Sequence, residues 1–296
     1  MRFNRSKFHR SNGNRLPRLA GCFVVGLLLL GQAISATAAE KAKIVLIAGR
    51  ASHGRTTHAH KAGILLLTRC LNEVPGVEAE AHLGGWVNDP EAFEGARSVV
   101  MYMDGRGGHE ILKEDRLARI DAVMKQGVGL CLLHYAVDVP RDRGGKEFLD
   151  WIGGYYEAGF SINPHWIAEF KSLPDHPITR GSKPFTLRDE WYYHMRFRPE
   201  MKGVTPILQA LPPENTRGTQ AARENAGNEE IVAWAAERPD GGRGFGFTGG
   251  HFHEAWGNDT FRTVVLNAIV WTAQLEVPAG GVKSTVTAEE LENDLD

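Results

Sequence analysis

Residues 98–134 read SVVMYMDGRGGHEILKEDRLARIDAVMKQGVGLCLLH. Ser98–Asp104 is an apolar run with an acid at its carboxyl end, and Val128–His134 is apolar until a histidine closes it. Between them, Leu117, Ile120, Ala122, Val123 and Met124 recur near a helical period over Lys113–Lys125, and Gly127 stops the pattern. Two wholly apolar strands joined by a helix form a parallel crossover, because strands covered on both faces show no polar alternation. The same grammar holds upstream. Lys43–Gly49 (KIVLIAG) is a buried strand, Ala62, Leu65, Leu66, Cys70 and Leu71 mark a helix within 58–73, and Val77–Leu83 alternates as a strand. The order strand-helix-strand-strand-helix-strand predicts an α/β fold with a mostly parallel sheet and helices on both faces.

Downstream, Pro174, Pro177 and Pro184 punctuate a loop-rich stretch. Phe185–Tyr193, Thr205–Ala210, Ile231–Glu237 and Gly244–Thr248 read as strands, and the polar run Pro212–Asn228 as a surface loop. Asn258 or Asp259 caps a final helix through Trp271 whose buried face is Phe261, Val264, Val265, Ala268 and Ile269. Residues 276–296 form an acidic tail in which Thr287 is a candidate cap.

The 296 residues are 42% hydrophobic, 24% charged and 9% aromatic, values of an ordinary globular chain and not of a disordered, collagenous or multi-span membrane protein. The net charge of −2 hides an asymmetry: residues 1–38 carry six Lys/Arg and no acid, which leaves 28 basic and 36 acidic side chains in the rest. An acidic body argues against sequence-independent nucleic-acid binding. The basic stretch up to Arg18, the apolar LAGCFVVGLLLLGQAIS and the small residues Ala36-Thr37-Ala38 follow the order of a secretory signal, with cleavage expected after Ala38. Its apolar core is short for a bilayer span of roughly 20 residues, although an uncleaved anchor is the alternative. The expected organisation is therefore a signal over 1–38, an α/β domain over 39–275 and the tail over 276–296, in a periplasmic or secreted protein. Cys70 and Cys131 sit in apolar runs and read as buried thiols.

Several of the 12 histidines fall just after apolar strands. His53, His58 and His60 follow the first strand, His134 closes the fourth, and His251 and His253 follow Gly249-Gly250. In an open parallel sheet the loops at the carboxyl ends converge on one crevice, so these histidines are expected to be neighbours. His58-x-His60 is a spacing common near helix starts and is a weak metal motif by itself. His82, His109, His165 and His176 read as surface or packing residues. Asp189-Glu190 places one carboxylate on each face of a strand. Trp191, Tyr192, Tyr193, Trp151, Tyr155 and Trp256 stand either as a sugar-stacking platform or as core.

Four stretches together carry a family resemblance. They are Ile44–Gly49 followed by His53; Gly127-x-Gly129-x-x-x-x-His134; Asp189-Glu190-x-Tyr192; and Arg243-Gly244-x-Gly246-x-Thr248-x-Gly250-His251-x-x-x-x-Trp256. With the closing helix FRTVVLNAIVWTA, the chain over 43–273 resembles the ThuA-like (trehalose utilisation) family. The resemblance implies a flavodoxin-like fold of the class I glutamine amidotransferase type, a link to sugar metabolism and no amidotransferase nucleophile. Phe252-His253 after His251 and the His58/His60 pair depart from that family's pattern. The residues agree on the nucleophile. A nucleophile elbow needs small neighbours, but Cys131 is followed two positions on by Leu133 and lies within the strand, and the elbow position falls nearer His134.

Two functional classes follow. One is an enzyme acting on a small-molecule carbohydrate, trehalose-related, a glycoside or a keto-sugar, with His134, Glu190 and His251 as acid/base groups. In this class His53, His134 and His251 are the expected ligands of a divalent metal such as zinc, whose binding weakens as free histidine protonates near pH 6–7. The other is a non-catalytic carbohydrate-binding or accessory module. A homo-oligomer is compatible with both. GRASHGRTTHAH after the first strand lacks the G-x-G-x-x-G turn of a nicotinamide dehydrogenase.

Overall fold

Alternate side chains along the first strands point into one or the other of two helical layers. The computed structural model describes residues 40–295, so the signal reading of residues 1–38 lies outside the described residues. In chain order the elements are β1 (Ala42–Ala48), α1 (His60–Asn72), β2 (Val77–His82), β3 (Ala96–Tyr102), α2 (Arg116–Met124), β4 (Gly129–Leu133), α3 (Gly145–Ile152), β5 (Gly154–Tyr155), β6 (Trp166–Phe170), β7 (Phe185–Asp189), β8 (Arg196–Phe197), β9 (Val204–Ala210), α4 (Gln220–Glu224), β10 (Glu230–Glu237), β11 (Arg243–Phe247), α5 (Asp259–Thr272) and α6 (Ala288–Glu292). Ile44 and Leu46 of β1, Val100 of β3 and Cys131 of β4 pack with α1 and α5. Val45, Ile47, Val99, Met101, Leu130 and Leu132 pack with α2 and α3 on the other side. Both faces of the sheet are thus covered, as the uninterrupted apolar runs require.

The main sheet has the order β2-β1-β3-β4-β11-β10-β9. β2, β1, β3, β4 and β11 run parallel, and β10 is antiparallel to both β11 and β9. This is the mostly parallel, flavodoxin-like arrangement expected. Its consequence for function is direct: the chain leaves β1, β3, β4 and β11 on the same edge of the sheet, towards His53–His58, Asp104, His134 and His251.

Local chemistry sets the ends of the last helices. The Asn258 side chain accepts from the Phe261 N–H at 3.0 Å and caps α5. Thr287 and Glu290 form a reciprocal capping box on α6. The tail is held by ion pairs from Arg55 to Glu292 and from Arg69 to Glu290. Among the described residues no helix is long and apolar enough to cross a membrane.

Two expectations change, and one of two open alternatives is selected. The strand read over Phe185–Tyr193 stops at Asp189 and pairs not with the main sheet but with β6 in a separate ribbon. The chain turns there because the Asp189 carboxylate accepts its own neighbour's N–H, Glu190 N, at 2.7 Å. The run Pro212–Asn228 is not simply a solvated loop. It contains α4, capped by Thr219, and buries Arg217 against Glu230 at 3.1 Å. Finally, Trp151, Tyr155, Trp191, Tyr192, Tyr193 and Trp256 are all buried and present no platform to a sugar.

Cys131 lies inside β4, fully buried, with Sγ 3.2 Å from the Thr272 hydroxyl, and burial pushes its thiol up to about 12. It should resist iodoacetamide in the folded protein. Cys131→Ala should reduce stability by about 1–2 kcal/mol, read by urea unfolding, without a change in function. Stoichiometric alkylation of the native chain at Cys131 would overturn this.

Candidate functional site

Three imidazoles and a carboxylate meet at the carboxyl edge of the sheet. His58 Nε2 lies 3.0 Å from His251 Nδ1 and 3.2 Å from His134 Nε2. Glu190 Oε2 lies 3.0 Å from His251 Nδ1 and 3.5 Å from His134 Nε2. His58, His134 and His251 are buried, and Glu190 closes the cluster with its side chain 12% exposed.

The backbone that presents these rings is locally strained. His134 is the first residue beyond β4 and has φ +54°, and His58 has φ +50°. A non-glycine residue in this left-handed region costs on the order of 1–2 kcal/mol. Gly250, φ +110°, turns the chain just before His251. A Cβ on Gly249 would stand 2.5 Å from the Trp191 ring, so only glycine lets this loop approach.

Hydrogen bonds over-determine the three turns. His58 N donates to His251 O at 3.0 Å and His253 N to Thr56 O at 2.9 Å, which locks the first loop to the last. The Tyr102 hydroxyl donates to Gly250 O. Asp189, fully buried, accepts from Gly250 N at 2.8 Å, His251 N at 3.0 Å and Glu190 N at 2.7 Å. Burial pushes its carboxyl up to about 6 against the pull of those donors.

Proton positions follow from the partners. His134 Nδ1 faces the Thr248 carbonyl at 2.8 Å; a carbonyl only accepts, so Nδ1 carries the hydrogen. Burial holds His134 well below the ordinary histidine range, so the ring is neutral and Nε2 is a bare lone pair. His58 Nδ1 faces Asp104 Oδ1 at 3.1 Å, and His58 beside it helps to hold that carboxyl below its usual range, against burial. His58 therefore donates from Nδ1, burial again keeps the ring neutral, and its Nε2 is bare as well. Two bare nitrogens 3.2 Å apart repel unless a positive charge lies between them. The nitrogen separations of 3.0 and 3.2 Å about His58 Nε2 lie close to the edge of a tetrahedron built on metal bonds of about 2.0–2.1 Å, roughly 3.3–3.4 Å. The proton-bearing Nδ1 atoms bonded to a carboxylate and a backbone carbonyl are the outer partners that fix ligating histidines.

His134, His251 and Glu190, singled out by sequence, are thus brought together. His53 stands one layer out: its ring stacks on His58 at 3.7 Å and its Nδ1 lies 3.9 Å from Asp104 Oδ1. The third nitrogen of the inner set belongs to His58 instead. His165, read as a surface or packing residue, borders the cluster with Nε2 3.8 Å from Glu190 Oε1. The Asn163 amide donates to that same oxygen at 3.1 Å. His253 is buried beneath α6, outside the cluster. Asp104 was visible as an acid at a strand's carboxyl end, a signal sufficient to flag it; His165 and Asn163 carried none. A cleft of about 700 Å³ opens at the opposite edge near Arg198 and Arg238, whose guanidiniums are bonded to backbone carbonyls.

Fold and crevice together define a flavodoxin-like α/β protein with a histidine–carboxylate centre at its strand ends. The family model ThuA, described as trehalose utilisation, matches residues 45–272, and the chain belongs to the ThuA family. It is similar to the crystal structure of a ThuA-like protein from Parabacteroides merdae at 17% identity, covering 84% of this chain and 94% of that one, TM-score 0.57. A ThuA-like protein from Bacteroides uniformis gives 15% identity, coverage of 82% and 95%, and TM-score 0.57. These likenesses establish the fold. No curated protein matches the sequence. The family description sets a general carbohydrate-related role.

Asp189 joins the Glu190 and His251 loops, so Asp189→Ala should leave three buried N–H groups without their acceptor. Each such loss costs on the order of 1–3 kcal/mol, and a total of about 3 kcal/mol or more is expected in urea unfolding. A loss below about 1 kcal/mol would show that the loops are held by other contacts.

Proposed function

We propose that the protein is a metal-dependent enzyme acting on a carbohydrate, a glycoside or an oxidised (keto) sugar, and that it lacks glutaminase activity. The observation that carries the metal is the close approach of two bare Nε2 atoms, of His58 and His134, at 3.2 Å, with His251 Nδ1 3.0 Å from the first. His58, His134 and His251 would hold a divalent ion of the zinc class and leave a further position for substrate. Such an ion supplies Lewis acidity toward a carbonyl, hydroxyl or water oxygen.

The chain's own groups do the rest. Asp104 and the Thr248 carbonyl keep their protons on the far side of His58 and His134, which aims both lone pairs inward. Glu190 Oε2, beside His134 and His251, is placed to take a proton from a water or sugar hydroxyl and return it to the leaving oxygen. Tyr192, whose phenol burial keeps protonated, has its oxygen 3.4 Å from His134 Nε2 and can donate to a substrate oxygen there. Supporting an enzyme over a carbohydrate-binding module is the burial of the aromatic residues on which a stacking platform would depend. The export pattern of residues 1–38 supports placing this activity in the periplasm or outside the cell.

Metal analysis of the purified protein tests the reading. Bound zinc-class ion is expected in the wild type, with loss of tight binding in His134→Ala and His251→Ala. Turnover of a sugar substrate should fall about 10²–10⁴-fold in His134→Ala and in Glu190→Gln. A wild type that takes up no divalent ion would overturn the proposal.

The pH dependence has a definite sign. Binding needs neutral imidazoles, and burial lowers the pKa of both His58 and His134. Lowered values keep these two rings neutral to lower pH, so the loss of zinc affinity should fall at lower pH than that of free histidine. Zinc titrations between pH 7.5 and 5 would read this; a loss centred on pH 6.5 would contradict the burial argument.

A further inference from the structure

The loop after β3 carries an arginine to the crevice, Arg106, in a strained backbone conformation with φ +54°. Arg106 N donates to the Asp138 carbonyl at 2.7 Å. A Cβ on Gly105 would collide with the Tyr135 and Asp138 carbonyl oxygens, so this loop lies directly on the turn after β4. The side chain is held as firmly as the backbone. Arg106 Nε donates to Asp138 Oδ2 at 3.1 Å, where the carboxylate side chain is 2% exposed and that of the arginine 51%. Burial pushes the Asp138 carboxyl up to about 7, and Arg106 pulls against it. Burying an acid is costly, and its side-chain partner among the described residues is this half-exposed arginine.

That bond takes only Nε. The two terminal nitrogens, the fork of the guanidinium, are bonded to no carboxylate and no carbonyl among the described residues. The Tyr156 phenol stands beside them, its ring centre 5.9 Å from Cζ. Tyr156 ties this corner to the histidine–carboxylate centre. Its hydroxyl donates to Asn163 Oδ1 at 3.1 Å, the amide whose nitrogen donates to Glu190, and its ring lies 5.3 Å from that of Tyr192. Tyr135 lies between the two, its ring 5.7 Å from His58, within electrostatic reach of Arg106 and of Asp104 and Glu190. Its hydroxyl bonds to no described residue.

We infer that Arg106, with the Tyr135 hydroxyl, forms a subsite that binds a carboxylate of the substrate, and that the carbohydrate is a sugar acid of the uronic-acid class. A guanidinium only donates, and its planar fork matches the two oxygens of a carboxylate. A sugar hydroxyl asks for an acceptor as well, and the Asp138 carboxylate is too enclosed to serve one. A phosphate, with nearly two charges, fits less well: Asp138 already offsets the Arg106 charge, and Asp104 and Glu190 lie close by. Asp138 fixes the guanidinium before substrate arrives, so little side-chain freedom is lost on binding. The inference rests on the carbohydrate reading for the sugar ring; the carboxylate contact does not need the inner cation.

Titration calorimetry of the full-length protein with matched sugars tests this, glucuronate against glucose and galacturonate against galactose, with zinc-loaded and with chelator-stripped protein. In both preparations the acid should bind at least about tenfold tighter than its neutral partner, the strength of a charge-assisted hydrogen bond. Arg106→Lys keeps a charge for Asp138 but has no fork, and should bring each pair within about threefold. Arg106→Gln/Asp138→Asn removes both charges and leaves no acid buried alone, so it reads the same loss where the lysine variant fails to fold. Equal binding of acid and neutral sugar by the wild type, or a preference unchanged in both variants, overturns the subsite. A preference that vanishes with the zinc and survives in the variants assigns the carboxylate to the inner cation, and likewise overturns it. Tighter binding of glucose 6-phosphate than of glucuronate overturns the choice of carboxylate. If no sugar of either kind binds, the carbohydrate reading itself falls, and this inference with it.

Discussion

The carboxylate of Asp189 is the constraint on which the crevice depends. It is fully enclosed and accepts three backbone N–H groups from two loops that are distant in sequence, Glu190 on one side and Gly250-His251 on the other. A carboxylate without water must be satisfied by fixed donors, or its burial is prohibitive. Because all three donors are main-chain groups, meeting that demand sets backbone positions rather than rotamers. Glu190 and His251 are thereby delivered to the same point, and their side chains meet at 3.0 Å.

The rest of the crevice shows the same logic of rigidity spent on geometry. His58 and His134 both occupy left-handed backbone conformations that bulky side chains avoid. Strain of this kind persists only where surrounding contacts leave no alternative. Here the contacts are the bonds between residues 56–58 and 251–253 at one loop and the Thr248 carbonyl at the other. Buried, neutral and pre-aimed imidazoles have little orientational freedom left to lose on binding a cation.

The position of His134 supports the proposal that the protein lacks glutaminase activity. The strained turn just beyond a buried strand, where a nucleophile elbow would stand, is occupied by an imidazole with φ +54°. The available thiol, Cys131, lies within β4, with Leu132 and Leu133 still to follow in the strand. A raised pKa and complete burial leave it unreactive.

Much of this was legible in the sequence. Uninterrupted apolar runs such as Lys43–Gly49 and Val128–His134 can only be strands covered on both faces, so the parallel sheet and its two helical layers follow from composition at each position. Parallel strands aim their carboxyl ends one way, so the meeting of His134 with His251 follows from topology alone. The choice among loop residues did not follow. Whether His53 or His58 reaches the inner cluster depends on a left-handed turn at His58 and on its bond to His251 O, and neither has a one-dimensional signal. Glu190 was visible, but the turn after Asp189 that directs it inward needs N–H donors from some 60 residues away. His165 and Asn163 gain meaning only from neighbours brought by other elements. Hydrophobic periodicity is a property of neighbouring residues and is written in the chain; hydrogen-bond satisfaction in a buried site is a property of distant ones and is decided only when the chain has folded.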